Sequence, residues 1–371
     1  IFGIYVCSLD SYSSTFFFIT FSAIIILGDM FLNHDKSMDK FKYPQLINFP
    51  IYLNLFLLLI FILNTVFIMG DSNANWFSNA INTYLNIDLI YMKESIKFID
   101  KISLIATVSL FIGIMGTVPG HELVHRKKNK FDMQMGNWLL ALSWDCAFAV
   151  EHVYGHHKNV GLDKDPATAK IGENIYAFIF KAIKNEQIGA WSIERTRLKM
   201  NNSSFFSFKN RMITGYLRSI IISGLAYYVG GFFGLLTFLL CSFIAKSLLE
   251  VINFTEHYGL VRVEGQPVMP HHSWNTNSFI SSIYLYNVTR HSSHHEKAHL
   301  KYWELRPYPD APTMPQGYLS MLYLAIFLPG IFKKIMVDKL LDWDENYATD
   351  DERKLSAIQN DNSNMPLLLN R

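Results

Sequence analysis

The sequence predicts an all-α integral-membrane protein of about six transmembrane helices, the first cut short, with a histidine-rich cap on one face. Three observations predict it. Half of the 371 residues are apolar and only 17% are charged, against about a quarter charged in ordinary soluble domains. The apolar residues fall in long runs, and the histidines gather at the ends of those runs.

A crossing helix needs about 20 largely apolar residues. Thr15 to Leu32, Ile47 to Met69 and Ile102 to Pro119 each supply one, and Met212 to Phe254 is long enough for two. Gly230-Gly231, with Gly234 close behind, is the expected hairpin in that last run, because glycine lets the backbone turn. The chain starts at Ile1 without a methionine inside an apolar stretch, so the natural start is expected upstream and one helix is expected to be truncated. Lys36, Lys40 and Lys42 separate the first two spans, and Arg126, Lys127, Lys128 and Lys130 follow the third. The connection from Gly70 to Tyr91 has no Lys or Arg. Positive residues stay inside, so both basic loops are expected in the cytoplasm of an inner-membrane protein and the bare loop outside.

Asn137 to Val150 is apolar but only 14 residues long, which fits a short buried or re-entrant helix better than a crossing. If it crossed, the histidines before and after it would lie on opposite faces. Residues 1–343 read as one membrane-embedded domain and 344–371 as a polar tail, expected to be partly disordered. A net charge of +2 gives no sign of a nucleic-acid binder, and Cys7, Cys146 and Cys241 are too scattered for a disulfide framework.

Four histidine groups stand out: His121 and His125 in GHELVHR; His152, His156 and His157 in EHVYGHH; His257 in NFTEHYG; and His291, His294 and His295 in RHSSHH. Spacings of three and four put side chains on one helix face, so each group can aim its rings at one point. A lone interfacial histidine is ordinarily a packed residue. Nine in four such groups indicate metal, with imidazole suiting Zn, Cu, Fe and Ni. Nine nitrogens exceed the coordination of one ion, so a pair is implied. Glu122, Glu151, Glu256 and Glu296 each adjoin a histidine and are expected to support ligands rather than bind metal, although Glu296 reads more simply as facing water.

Two rivals stay open at this point. HELVH matches the HExxH zinc-protease motif, but that chemistry leaves most of the histidines without a purpose. A metal transporter would use histidine too, yet transporter sites sit near the bilayer midplane rather than at helix ends.

GHELVHR, EHVYGHH followed by DPAT, NFTEHYGL, HSWN, and RHSSHH followed by PYPDAP together resemble the signature blocks of the integral-membrane alkane monooxygenases. Their relatives include the xylene and cymene methyl-hydroxylases and, more distantly, the fatty-acid desaturases. The resemblance runs from about Thr15 to Trp343. It implies a six-helix membrane bundle with cytoplasmic histidine boxes around a di-iron centre, the nine histidines above being the iron ligands. It further implies support from Asp165 in DPAT and His272 in HSWN. Asp145 is a third functional candidate, since a carboxylate is expensive in so apolar a segment. His271 and His299 match nothing in the family blocks, and His34 reads as interfacial.

The implied reaction takes an alkane, dioxygen and two electrons to a primary alcohol and water. The electrons would come from a separate carrier, because the chain shows no dinucleotide fingerprint and no cysteine set for an iron–sulfur centre. That carrier is a rubredoxin in alkane monooxygenases and a flavin and iron–sulfur reductase in the xylene-type relatives. The Arg126–Lys130 patch is one place an acidic carrier could dock, though topology alone also explains it. Phe16, Phe17, Phe18, Phe56 and Phe61 are candidate walls of a channel for a hydrophobic substrate drawn from membrane lipid.

Overall fold

The computed structural model describes residues 1–38, 41–363, 365 and 368. Lys40 of the first basic loop, and residues 364, 366, 367 and 369–371 of the tail, lie outside them. Regular structure among the described residues is helical, apart from two isolated bridges. Four helices are long and apolar enough to cross a membrane: Ser13–Phe31, Leu46–Met69, Phe98–His125 and Arg211–Glu256. They coincide with the expected runs. The third continues past Pro119 into the first histidine box.

The chain divides into two compact units. One comprises Ile1–Ile24, Phe41–Cys146 and Ile213–Lys246; the other comprises Ile25–Lys40, Ala147–Met212 and Ser247–Arg371.

In the first unit, the long helix Arg211–Glu256 breaks at Gly231, whose φ of 70° and ψ of −160° are non-helical. Only glycine tolerates that conformation without strain. The break is a true reversal. Ser219 Oγ bonds the Ala141 carbonyl at 3.1 Å and Ser242 Oγ bonds the neighbouring Leu142 carbonyl at 2.7 Å. A straight helix would hold those serines about 34 Å apart. Asp71 closes the turn, accepting from Phe233 N at 3.1 Å while its own N–H bonds the Gly230 carbonyl at 3.0 Å.

Asn137 to Val150 is not the single short helix expected. Helix Lys130–Ala141 ends, a turn follows, and a new helix starts at Phe148. Trp144 sits in the turn at φ 55°, a conformation that ends α-helix in an L-residue. Asp145 therefore lies in a turn, fully buried, where its carboxylate pairs with Lys246 Nζ at 2.9 Å. The Phe61 ring is buried near Phe111, at a centroid distance of 5.8 Å, and Phe17 joins the same aromatic cluster at 6.0 Å. Phe16 and Phe56 are instead 69% and 59% exposed, so neither is a wall of an enclosed channel.

In the second unit, Glu194 is fully buried on helix Ile175–Met200 and takes hydrogen bonds from Arg197 and Arg211 at 2.6–2.9 Å. Those bonds hold its carboxyl down at about 2 against the opposing effect of burial. Asp29, also buried, accepts from Ser281 N, Ser281 Oγ and Ser320 Oγ at 2.7–3.0 Å. Part of the polar tail is helical. Asp350–Asn362 is a helix whose capping box pairs Thr349 with Glu352, a T-x-x-E signal present in the sequence.

Candidate metal centre

His121 and His125 lie on Val118–His125, at the end of the third span of the first unit. Spacing by four stacks them on one face, with ring centroids 4.9 Å apart and ring nitrogens within 4.8 Å. A close helix crossing fixes that face. A Cβ on Gly136 would stand 3.0 Å from the Gly120 carbonyl oxygen and 2.9 Å from Leu123 Cβ, so only glycine lets Lys130–Ala141 pack this near.

Arg126 anchors the same helix end. Its guanidinium bonds Glu122 at 2.6 and 3.0 Å, Asn48 at 2.7 Å and Asp132 at 3.2 Å, and Tyr52 donates to Asp132 at 2.5 Å. The Arg126 side chain is only 8% exposed. It is therefore a buried tie rather than part of a docking patch. Lys127, Lys128 and Lys130 remain exposed.

The second unit carries the other seven histidines, and they sort into two groups in an order that spacing does not reveal. His152 to His156 form a π-turn within a short helix. On an α-helix residues five apart point about 140° away from each other, whereas the wider π-turn brings i and i+5 together. His152 and His157 accordingly meet, Nε2 to Nε2, at 3.1 Å, and His294 Nε2 lies 3.1 Å from His157. His156 turns to the other group. Its Nε2 is 3.3 Å from His295 Nε2, which is 2.9 Å from His291 Nε2, itself 3.2 Å from His257 Nε2. Helix His291–Glu296 is thus split, with His291 and His295 facing one group and His294 facing the other.

These distances fit a metal. Ligand nitrogens about 2.1 Å from an ion lie about 3.0 Å apart along an octahedral edge and about 3.4 Å apart in a tetrahedron. Hydrogen bonding alone does not account for the packing. His156 Nδ1 faces both Asp165 oxygens at 3.0 and 3.1 Å, and His257 Nδ1 donates to the His272 carbonyl at 3.0 Å. In the neutral rings these bonds put the proton on Nδ1 and leave the Nε2 lone pair toward the cluster. Lone pairs so close to one another call for a shared cation.

Electrostatics agree with the geometry. Burial drives His257 down to about 3 and holds His294 and His295 well below the usual imidazole range, the neutral form being the one that binds metal. At His156 burial is outweighed by the Asp165 carboxylate, which raises its basicity. Asp165 is itself held low by His156 and by Thr168, which donates at 2.6 Å.

Of the adjacent carboxylates, Glu256 is buried with Oε2 3.3 Å from His291 Nε2, Glu122 is engaged by Arg126, and Glu296 is exposed and bonded by Tyr308. Glu151 is buried at the start of the π-turn. His34 and His299 are exposed. His271, unplaced from sequence, lies 3.2 Å from Glu352 Oε2, and His272 Nε2 lies 2.7 Å from Glu352 Oε1. This trio resembles a third metal group, but its protons say otherwise. Met269 N–H donates to His272 Nδ1 at 2.9 Å, so Nε2 bears the hydrogen in the neutral ring and simply donates it to Glu352. Sequence reading missed Glu352, although the capping-box signal places it at a fixed helix start.

Comparison with known proteins agrees with this centre. The fatty acid desaturase family matches residues 102–325, which include all nine histidines. Alkane 1-monooxygenase 1 of Pseudomonas aeruginosa is 34% identical over 269 residues, 71% of this chain and 69% of that protein. Alkane 1-monooxygenase 2 of Alcanivorax borkumensis is 35% identical over 67% of this chain and 65% of its own length. The xylene/toluene monooxygenase hydroxylase component XylM of Pseudomonas putida is 30% identical over 94% of this chain and 88% of its own. A membrane-type helical scaffold, a buried imidazole cluster and these matches together establish that the chain belongs to the integral-membrane alkane monooxygenase family, within the fatty acid desaturase superfamily.

Proposed function

We propose that this enzyme hydroxylates the terminal methyl group of alkanes to primary alcohols, consuming dioxygen, two electrons and two protons and releasing water. The observation that carries the reading is the sorting of seven buried or half-buried imidazoles into two sets with ring nitrogens 2.9–3.3 Å apart, in a chain whose relatives are named alkane 1-monooxygenases. His156, His257, His291 and His295 would hold one iron. His152, His157 and His294 would hold the other, and His121 and His125 are further proposed iron ligands.

An unactivated methyl group has neither an acidic proton nor a leaving group, so oxidation is the one route to it. Two irons bound here would supply the activation of dioxygen that this oxidation requires. The protein's own residues do the rest. Asp165 and the His272 carbonyl fix the tautomer and tilt of His156 and His257, and burial of the ligand rings excludes the water that would otherwise quench the oxidant. Asp145, paired with Lys246, is assigned a supporting role that keeps the Leu142–Ala147 turn in place.

We assign electron delivery to a separate carrier, a rubredoxin or similar protein with its reductase, arriving at the cytoplasmic face of the inner membrane. The exposed Lys127, Lys128 and Lys130 support that assignment through the positive-inside rule. A second reading, hydroxylation of an aromatic methyl group, is favoured by one observation: the match to XylM spans 94% of this chain, against 71% for the alkane 1-monooxygenase of P. aeruginosa.

One experiment separates the readings. Membranes containing the protein, given dioxygen, a reducing system and a mixture of octane, hexadecane and xylene, are analysed by mass spectrometry. A 1-alkanol carrying oxygen from labelled dioxygen supports the alkane assignment. Methylbenzyl alcohol alone would replace it with the aromatic one, and no labelled alcohol from any substrate would refute both.

A further inference from the structure

We propose that the C-terminal helix Asp350–Asn362 is a clamp on one of the two metal positions, with Glu352 as its positioning residue. The inference rests on the metal reading above and concerns the group His156, His257, His291 and His295.

Two paths run from this helix to that group. In the first, Glu352, only 3% exposed, divides its carboxylate. Oε2 accepts from Thr349 N at 2.9 Å and Thr349 Oγ1 at 3.0 Å, capping the helix. Oε1 accepts from His272 Nε2 at 2.7 Å. The His272 ring is pinned from its other side by Met269 N–H on Nδ1 at 2.9 Å, and Trp343 Nε1 holds the preceding His271 carbonyl at 2.6 Å. A short turn fixed on three sides then presents the His272 carbonyl to His257 Nδ1 at 3.0 Å. That bond aims the His257 Nε2 lone pair at the metal position.

In the second path, Gln359 Oε1, two turns further along the same helix, accepts from Ile171 N at 3.1 Å. Ile171 lies in the same loop as Asp165, between helices His157–Asn159 and Ile175–Met200, and Asp165 orients His156 through Nδ1 at 3.0 Å. Both paths end in the same four-histidine group. One helix therefore supports two of its ligands, His257 from its first turn and His156 from Gln359 further along, and the ion held there responds first when the helix is disturbed.

The test uses the full-length chain, purified in detergent and loaded with iron. Iron per chain and the kinetics of its release to a ferrous chelator are measured for the wild type, Glu352→Ala, Glu352→Gln and Thr349→Ala, with circular dichroism on each. We expect two irons per wild-type chain. Glu352→Ala should release one of them at least ~10-fold faster, the lower end of the usual effect of losing a ligand-orienting residue, while the other leaves at the wild-type rate. Thr349→Ala removes a cap but keeps Oε1 on His272, so its release should follow the wild type. Glu352→Gln, with a single carbonyl oxygen to serve two partners, should fall between, and it carries the test if Glu352→Ala does not fold.

Equal release of both irons from the Glu352 variants at wild-type rates, or equal acceleration of both, would overturn the clamp while leaving the metal centre standing. Matching behaviour of Thr349→Ala and Glu352→Ala would reduce Glu352 to a helix cap. A wild-type chain that binds no iron under any loading condition would overturn the clamp together with the reading beneath it.

Discussion

The His121–His125 pair and the His156–His257 pair are held by opposite means. Around the first pair the protein fixes a helix: Gly120 and Gly136 allow close packing, and Arg126 ties Glu122, Asp132 and Asn48 into one buried knot. The rings follow from the helix that carries them. Around the second pair it fixes individual rings, since Asp165 holds His156 and the His272 carbonyl holds His257, each at Nδ1. The lesson is that buried imidazoles can be positioned by fold stability in one place and by ring-by-ring hydrogen bonds in another. Damage to the two supports should then be read out differently, as lost stability in the first case and as lost metal affinity in the second.

Removing a ligand sets the scale. His291→Ala takes away a nitrogen 2.9 Å from His295 Nε2 and 3.2 Å from His257 Nε2, and should abolish both hydroxylation and occupancy of its position, leaving at most one iron per chain by metal analysis. Two irons per chain in that variant would remove His291 from the ligand set.

Next comes the knot. Arg126→Ala removes the cation that faces two buried carboxylates, Glu122 and Asp132, and should cost about 3–5 kcal/mol, seen as a large drop in the thermal midpoint in detergent. Loss of iron at an unchanged midpoint would erase the distinction between the two supports.

Asp165→Asn is the converse experiment. It should weaken iron affinity by about 10- to 100-fold, or roughly 1.4–2.7 kcal/mol, with the thermal midpoint of the metal-free protein close to wild type. A midpoint drop as large as that of Arg126→Ala would make Asp165 a structural residue as well.

The smallest effect is expected at Asp145, whose partner is Lys246 rather than an imidazole. Asp145→Asn should retain two irons and lower turnover modestly through the shifted turn. Unchanged turnover would confine the residue to structure, and lost iron would move it into the ring-holding class.

Much of this was legible in the residues. Span positions followed from apolar length alone, and Gly230-Gly231 marked the reversal because only glycine readily accepts the φ, ψ pair that it needs. The nine histidines were identifiable because their spacings and block order left few other purposes for so many imidazoles. Other features were not legible. Asn137 to Val150 is apolar throughout, so nothing in composition marks the break at Trp144. Arg126 read as a surface charge because Asn48 is distant in sequence and nothing in the sequence shows that the helix carrying Asp132 packs back to bury the guanidinium. The tail read as polar and partly disordered, and the helix-start signal of Thr349 and Glu352 within it was passed over.

The sequence by itself determined which side chains could bind metal and which stretches belong in lipid, because both depend on local chemistry: donor atoms at helical spacing, and enough consecutive apolar surface to cross a bilayer. Tertiary structure alone decided which histidine joins which group, since a π-turn rotates His157 onto the face of His152 and away from His156. It also decided how the rings are aimed. Those hydrogen bonds connect residues as far apart as His272 and Glu352, and only folding can bring such pairs within 3 Å of each other.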